Sequence, residues 1–294
     1  MNPSWAELVS ALAARDPMKG QSPSDTPAAR IERKTCTARD GVTIVYSASG
    51  SGPVGLVFIH GGLANRAFWD GELKAFAAHY RVIAPDLPGH GESGTNREKW
   101  GLPEFGADVR NVVEAEHLGK VVLFGNSLGG PVAIEAALLL PGKVLGVVGV
   151  DTFNRLLGPM ALEHVQKRAD AFRSDYAGSL NQMVKMLFHA DADPALIADA
   201  ERRMAHISPD AAYRIFLSLS GYDTCASARR LTVPLRAING DLYPTDIQSV
   251  RETRADFDTV IMKHMGHYPM LERPGEFDSL VGAAVKSLMS DSTD

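Results

Sequence analysis

Ser127 stands between two glycines in Gly125-Asn126-Ser127-Leu128-Gly129, where the apolar run Val121-Val122-Leu123-Phe124 gives way to Pro131-Val132-Ala133-Ile134-Glu135-Ala136-Ala137-Leu138, a stretch with apolar residues at helical spacing. A serine on so tight a strand-to-helix turn takes up strained backbone geometry, and neighbours without side chains leave room for it. The turn lifts the hydroxyl clear of a sheet and sets it at the start of a helix. Unpaired N–H groups and the positive end of the helix dipole there favour developing negative charge, as acyl transfer requires. The same pattern also describes an ordinary Gly/Ser turn, so its meaning depends on partners elsewhere in the chain.

A proton acceptor is the first partner needed. Imidazole suits the task because its ordinary pKa lies near neutrality, so it can take the serine proton and return it to a leaving group. Of nine histidines, His267 is the candidate: it lies in Gly266-His267-Tyr268-Pro269, shortly after the strand-like Thr259-Val260-Ile261-Met262. A second partner is an oxyanion site. Val57-Phe58-Ile59 reads as a strand that ends in His60-Gly61-Gly62-Leu63, ahead of a helical stretch with Phe68 and Trp69. Backbone N–H groups of Gly62 and of Leu128, the residue after the serine, are placed to bind a tetrahedral oxyanion. His60 reads as a brace for this loop rather than a proton carrier.

The elements that must position these groups alternate. Strand-like runs occur near Val42 to Ser47, Gly55 to Ile59, Tyr80 to Ala84, Val121 to Phe124, Val144 to Val150, Val233 to Ile238 and Val260 to Met262, with helical stretches between most of them. Such alternation predicts a parallel sheet covered by helices. The elbow, the His-Gly-Gly loop and the late Gly-His, together with Val82-Ile83-Ala84-Pro85-Asp86-Leu87-Pro88-Gly89-His90-Gly91-Glu92-Ser93, resemble in type and order the α/β-hydrolase superfamily, and the resemblance runs from about Ile31 to Leu288. It implies an α/β-hydrolase fold with an eight-stranded, mostly parallel sheet, helices on both faces, and a catalytic site at the carboxyl ends of the strands. The Asp86 to Ser93 turn itself reads as a structural loop.

The acid that would orient His267 stays open between three residues. In relatives it usually follows the seventh strand as Gly-x-x-Asp, but here Gly240-Asp241-Leu242-Tyr243 carries a tyrosine at that position, with Asp241 and Asp246 on either side. Val147-Val148-Gly149-Val150-Asp151 ends the sixth strand in an aspartate, a placement that some branches of the superfamily use. Asp151 is the preferred acid, with Asp241 and then Asp246 behind it. The order Ser, Asp, His holds for each choice.

Residues 152–230 form an insertion too long for an ordinary α/β connection, with amphipathic helical runs such as Leu162 to Arg168 and Leu180 to Phe188. By the same resemblance it is a helical cap after the sixth strand, which divides the chain into an N-terminal extension (1–30), a core (31–151 and 231–294) and a cap (152–230). Phe153, Leu156, Met160, Met183, Met186, Phe188 and Phe216 are available to line an apolar chamber but at helical spacing read as internal packing. Phe68 and Trp69 are better candidates to meet substrate.

The chain has 294 residues, 45% of them apolar, and a net charge of -5 without any basic block. That is enough for one large core, and it argues against nucleic-acid or anionic-membrane partners. Cys36 and Cys225 are far apart and suggest neither a disulfide framework nor a metal site. The Gly89-His90-Gly91-Glu92-Ser93-Gly94 match to a dinucleotide fingerprint lacks a strand directly before it and a helix after it, so no cofactor is expected. Trp5 to Ala14 reads as an amphipathic helix that docks on the body or pairs two copies as a homodimer. With Glu7 interrupting it and no leading positive charge, it does not read as a signal peptide, and a cytoplasmic protein is expected.

The resulting expectation is a cofactor-free, esterase-like serine hydrolase of small to medium apolar esters or lactones. A carbon-carbon bond hydrolase is the alternative, since Asn126 before the serine is similar to the elbow of meta-cleavage-product hydrolases. A cofactor-free perhydrolase or haloperoxidase, and a ligand receptor on the same fold, are the remaining readings.

Overall fold

Parallel strands covered on both faces must be apolar along their whole length, and three runs meet that condition: β3 (Val54–Ile59), β5 (Lys120–Asn126) and β6 (Val144–Val150) are buried throughout, apart from Lys120 at the entrance to β5. A computed structural model, which describes Trp5 and residues 30–291, places them at the centre of an eight-stranded sheet. The other strands are β1 (Glu32–Thr37), β2 (Thr43–Ser49), β4 (Arg81–Pro85), β7 (Leu235–Gly240) and β8 (Asp258–Met262). The order across the sheet is β1-β2-β4-β3-β5-β6-β7-β8. β1 and β2 pair antiparallel, as do β2 and β4, and every other pair is parallel.

Seven of these strands coincide, give or take a few residues, with the apolar runs in the sequence. β1 does not. Its sequence, Glu-Arg-Lys-Thr-Cys-Thr, is an edge strand with one face in water, and its charges guard that edge without an apolar signal.

The helices of the core lie on both faces. α1 (Asp70–Ala75) follows a 3-10 turn at Arg66–Trp69, α2 (Leu102–Ala115) packs on α3 (Gly129–Leu138), and α9 (Ile247–Thr253), α10 (Pro269–Glu272) and α11 (Pro274–Asp291) complete the chain. α2 and α3 approach so closely that a Cβ on Gly106 would lie 2.5 Å from Cβ of Glu135.

Between β6 and β7 the chain builds α4 (Leu162–Ser174), α5 (Tyr176–Met186), α6 (Pro194–Met204), α7 (Pro209–Leu217) and α8 (Thr224–Arg230). Asp175, Asp193, Ser208 and Asp223 each cap one of the last four through a side-chain oxygen, and proline opens α6 and α7. The entry and exit of the insertion are tied together: the Gly221 amide donates to Met160 O at 3.0 Å and that of Thr224 to Leu157 O at 3.0 Å.

The stretch expected as an N-terminal helix lies outside the described residues except for Trp5, which is buried with its ring 5.9 Å from the Arg236 guanidinium. Among the described residues no helix is long and apolar enough to cross a membrane.

Candidate active site

Ser127 sits where β5 turns into α3, with φ +52°. A non-glycine residue in that region costs on the order of 1–3 kcal/mol, so the surrounding structure must hold it there. Its amide donates to Val150 O at 3.2 Å, and its carbonyl accepts from Gly130 N at 3.0 Å. The flanking glycines are steric requirements: a Cβ at Gly125 would lie 2.1 Å from Gly129 O, and one at Gly129 would lie 2.4 Å from Ile59 O.

Asp151 follows β6, also at positive φ, +44°. Its amide donates to Ile238 O at 2.9 Å, so the residue is fixed against β7. The carboxylate is buried and splits its two oxygens: Oδ1 accepts from Gly240 N at 3.0 Å, and Oδ2 takes His267 Nδ1 at 2.5 Å. The other two acids that the sequence offered lie elsewhere. Asp241 accepts from Met265 N at 3.1 Å, and the backbone amides of His264 and Met265 pull its pKa down to about 2. Asp246 caps α9 through Ser249 N at 3.0 Å.

His267 precedes α10, and its backbone is held on every side. Its amide donates to Leu187 O at 2.8 Å, in the insertion. Its carbonyl accepts from Asn126 Nδ2 at 3.0 Å, and the same amide nitrogen donates to Val150 O at 2.9 Å. The two flanking amides, Gly266 and Tyr268, donate to Glu272 at 3.0 and 3.1 Å. Burial raises the Glu272 carboxyl above the ordinary range, and its two amide donors pull the other way.

Two oxygens thus clamp the histidine loop from Glu272, and one nitrogen ties it to the residue before Asp151. The sequence reading passed over Glu272; its signal was a carboxylate five residues after the histidine, within reach of the turn. Asn126 stood out only as a feature of resemblance, and its bridging contacts need three dimensions to be seen.

The loop after β3 holds Gly62 next to the elbow, where a Cβ on Gly62 would be 3.9 Å from Cβ of Leu128. Among the described residues no acceptor takes the amide N–H of Gly62 or of Leu128. His60 is fully buried: its Nδ1 donates to Gly61 O at 2.8 Å and its Nε2 accepts from Leu87 N at 3.0 Å. Those partners assign the neutral tautomer with the proton on Nδ1, and burial lowers its pKa in the same sense. His60 is therefore a brace between two loops. Asp86 is a structural hub in the following turn, accepting from Arg66 N at 2.7 Å and Glu92 N at 2.9 Å and pairing with the Arg66 guanidinium.

Ser127, His267, Gly62 and Leu128 open on one cavity of about 410 Å³ between the sheet and the helical insertion. Its remaining wall is largely apolar, with Leu102, Met160, Met183, Leu187, Ile215, Phe216 and Leu219 prominent.

Some expectations need correction. Phe68 and Trp69 do not line it; both are buried, Phe68 against Tyr268 and Trp69 against Phe58 and Phe277. Phe153, Leu156 and Phe188 are spent on packing, as their helical spacing implied, but Met160, Met183 and Phe216 line the cavity instead and Met186 is exposed. Tyr243, where relatives carry the acid, lines the cavity and donates its hydroxyl to Met186 O at 2.6 Å. Among the described residues no group of three His, Cys, Asp or Glu side chains stands ready to hold a metal ion.

Comparison with known proteins agrees with this architecture. Residues 56–280 match the model of the alpha/beta hydrolase family. An uncharacterized protein of Mycobacterium bovis is 34% identical over 104 residues, 35% of this chain and 30% of its own length, so the chain spans under a third of the first curated relatives it matches. A pimeloyl-[acyl-carrier protein] methyl ester esterase of Nitrosospira multiformis is 24% identical over 258 residues, covering 80% of this chain and 95% of that protein. Among solved structures, a putative aryl esterase from Burkholderia cenocepacia superimposes with a TM-score of 0.75 at 26% identity, over 88% of this chain and all of the other.

Proposed function

Since the chain belongs to the alpha/beta hydrolase family, we propose that it is a serine hydrolase that cleaves carboxylic esters or lactones through an acyl-enzyme. The observation that carries this reading is the 2.5 Å contact between Asp151 Oδ2 and His267 Nδ1 at a cavity that Ser127 also lines. Esterases among its relatives and structural neighbours support the same class.

In the proposed reaction Ser127 Oγ attacks the ester carbonyl while His267 Nε2 takes its proton. Asp151 keeps the ring proton on Nδ1 and stabilises the imidazolium. Backbone N–H groups of Gly62 and Leu128 bind the oxyanion where negative charge develops. The intermediate collapses by breaking the bond to the alcohol oxygen, which leaves with the proton from His267. Water then repeats the sequence on the acyl-serine, and the carboxylic acid departs.

The largely apolar wall selects acyl groups of small to medium size, and the helical insertion acts as a cap over the site. The test is hydrolysis of p-nitrophenyl esters by wild type and Ser127→Ala, with a fluorophosphonate probe counting reactive serines. One equivalent of label on wild type, none on Ser127→Ala, and multiple turnovers by wild type alone support the reading. Undiminished turnover by Ser127→Ala removes the covalent step. Labelling without multiple turnover points instead to a ligand receptor.

A further inference from the structure

One permanently charged side chain lines the cavity, Arg168 of α4, among walls otherwise built of apolar, hydroxyl and glycine residues and His267. Its place follows from the helix. Val165, Ala169 and Phe172 form the buried stripe of α4, and position 168 lies at the edge of that stripe, three residues from one member and four from another. The guanidinium carbon stands 5.3 Å from the centre of the Phe216 ring. Phe216 is itself buried, stacked on Phe172 at 4.6 Å, and part of the cavity wall.

A planar cation resting on a fixed aromatic face is held in one place and keeps its N–H donors free at its edges. Those donors lack a carboxylate among the described residues. Neighbouring Arg173 pairs with Asp210, and the Asp170 carboxylate accepts from Gln166. Among the described residues nothing acidic lines the cavity to oppose the charge. The hydroxyl residues Thr224 and Tyr222 line the same cavity.

We propose that Arg168 makes this site selective for esters whose acyl chain ends in a carboxylate, that is, half-esters of dicarboxylic acids. The free carboxylate sits on the guanidinium at the cap, and the ester carbonyl sits at Ser127. The chain between them runs along the apolar wall. A fork of parallel N–H donors matches the two oxygens of a carboxylate, which a lysine in the same place would not do. This inference rests on the ester-hydrolase reading and names the substrate class within it.

The test uses two matched series of p-nitrophenyl esters, neutral alkanoates and ω-carboxylates of equal chain length. At the best length the wild type should favour the carboxylate roughly tenfold or more in kcat/KM, chiefly through KM, which is about 1.4 kcal/mol per decade. Arg168→Met keeps a flexible apolar stem against Phe216 and should bring the ratio of carboxylate to neutral ester close to one. Arg168→Lys should hold part of the preference, and rising salt should shrink it in wild type because Arg168 is an exposed residue. Equal rates on the two series in wild type, or a preference that survives Arg168→Met, overturns the proposal.

Calorimetric binding of one non-chromogenic half-ester to Ser127→Ala, and to Ser127→Ala with Arg168→Met, reads recognition without turnover. Weaker binding by the double variant supports the proposal even if esters prove not to be the reacting class. Equal binding overturns it even if esters are cleaved.

Discussion

Replacing Asp151 by asparagine changes one atom of the carboxylate and separates orientation of the base from its packing. Asp151 accepts two donors, Gly240 N at 3.0 Å and His267 Nδ1 at 2.5 Å. In Asp151→Asn the amide has two orientations. If its oxygen stays on Gly240 N, its NH2 faces Nδ1; the ring must then accept at Nδ1 and carry its proton on Nε2, towards Ser127, where it cannot take another. If the amide is reversed, NH2 faces the buried Gly240 N–H, and an unmet donor of that kind costs roughly 1–3 kcal/mol. The first orientation wins, so nearly all molecules hold the wrong tautomer.

The known cost of this change in a serine-histidine-aspartate triad is about ten-thousandfold in kcat, or roughly 5 kcal/mol at 1.36 per decade. We expect a fall of that order in kcat on p-nitrophenyl butyrate, KM within about threefold, a matching fall in fluorophosphonate labelling, and a melting temperature within a few degrees of wild type. Asp241→Asn, which weakens the carboxylate's contacts with the Met265 amide and with His189, should stay within about tenfold. The reasoning is refuted if Asp241→Asn loses a thousandfold while Asp151→Asn stays within tenfold.

Three further substitutions probe the supports. Asn126→Ala removes both hydrogen bonds that tie His267 to the residue before Asp151; kcat should fall at least tenfold with KM little changed, and the fall should exceed what the loss of folded protein, followed by circular dichroism, explains. Tyr243→Phe deletes the 2.6 Å hydrogen bond to Met186 O between core and insertion; a loss of about 1 kcal/mol in urea denaturation is expected, and no loss would mean that water replaces the hydroxyl. Glu72 is buried and unpartnered, and desolvation raises its pKa well above the ordinary range, while Asp278 is pushed up to about 6 in the same way. The folded state therefore keeps protons that the unfolded chain releases, so this stability is fully present below about pH 4 and is lost as pH rises through about 6 and beyond. Glu72→Gln should flatten the decline in unfolding free energy above the ordinary carboxylate range, by up to about 1.4 kcal/mol per pH unit; a variant with the wild-type slope would assign the proton elsewhere.

The features legible in the sequence share a physical property: each is enforced locally. Gly125 and Gly129 must be glycine because carbonyl oxygens occupy the space a Cβ would need, and the buried strands must be apolar because both faces are covered. Asp151 could be singled out because an aspartate ending an apolar run stands out one residue at a time. What stayed hidden depends on contacts between distant segments. Phe68 and Trp69 lie next to the His60-Gly61-Gly62 loop in sequence, yet the 3-10 turn that carries them points both rings into the core. Tyr243 reads as the loss of an acid, and only the fold shows its hydroxyl on Met186 O. β1 carries no apolar pattern because half of it faces water.

Backbone strain locates the same place without reference to any motif. Six non-glycine residues among those described have positive φ: Leu63, His117, Ser127, Asp151, Phe153 and His264. Five of them follow the carboxyl ends of β3, β5, β6 and β8, and His117 alone precedes a strand, at the opposite edge of the sheet. Each such residue costs on the order of 1–3 kcal/mol and persists only where surrounding bonds over-determine it. Those bonds are present, since Val150 O takes both Ser127 N and Asn126 Nδ2, and Ile238 O takes Asp151 N. A fold free to relax would spread such costs or avoid them. Gathering them at the strand ends, where open α/β sheets bind their ligands, sets Ser127, Gly62 and Leu128 on one cavity with Asp151 buried behind His267.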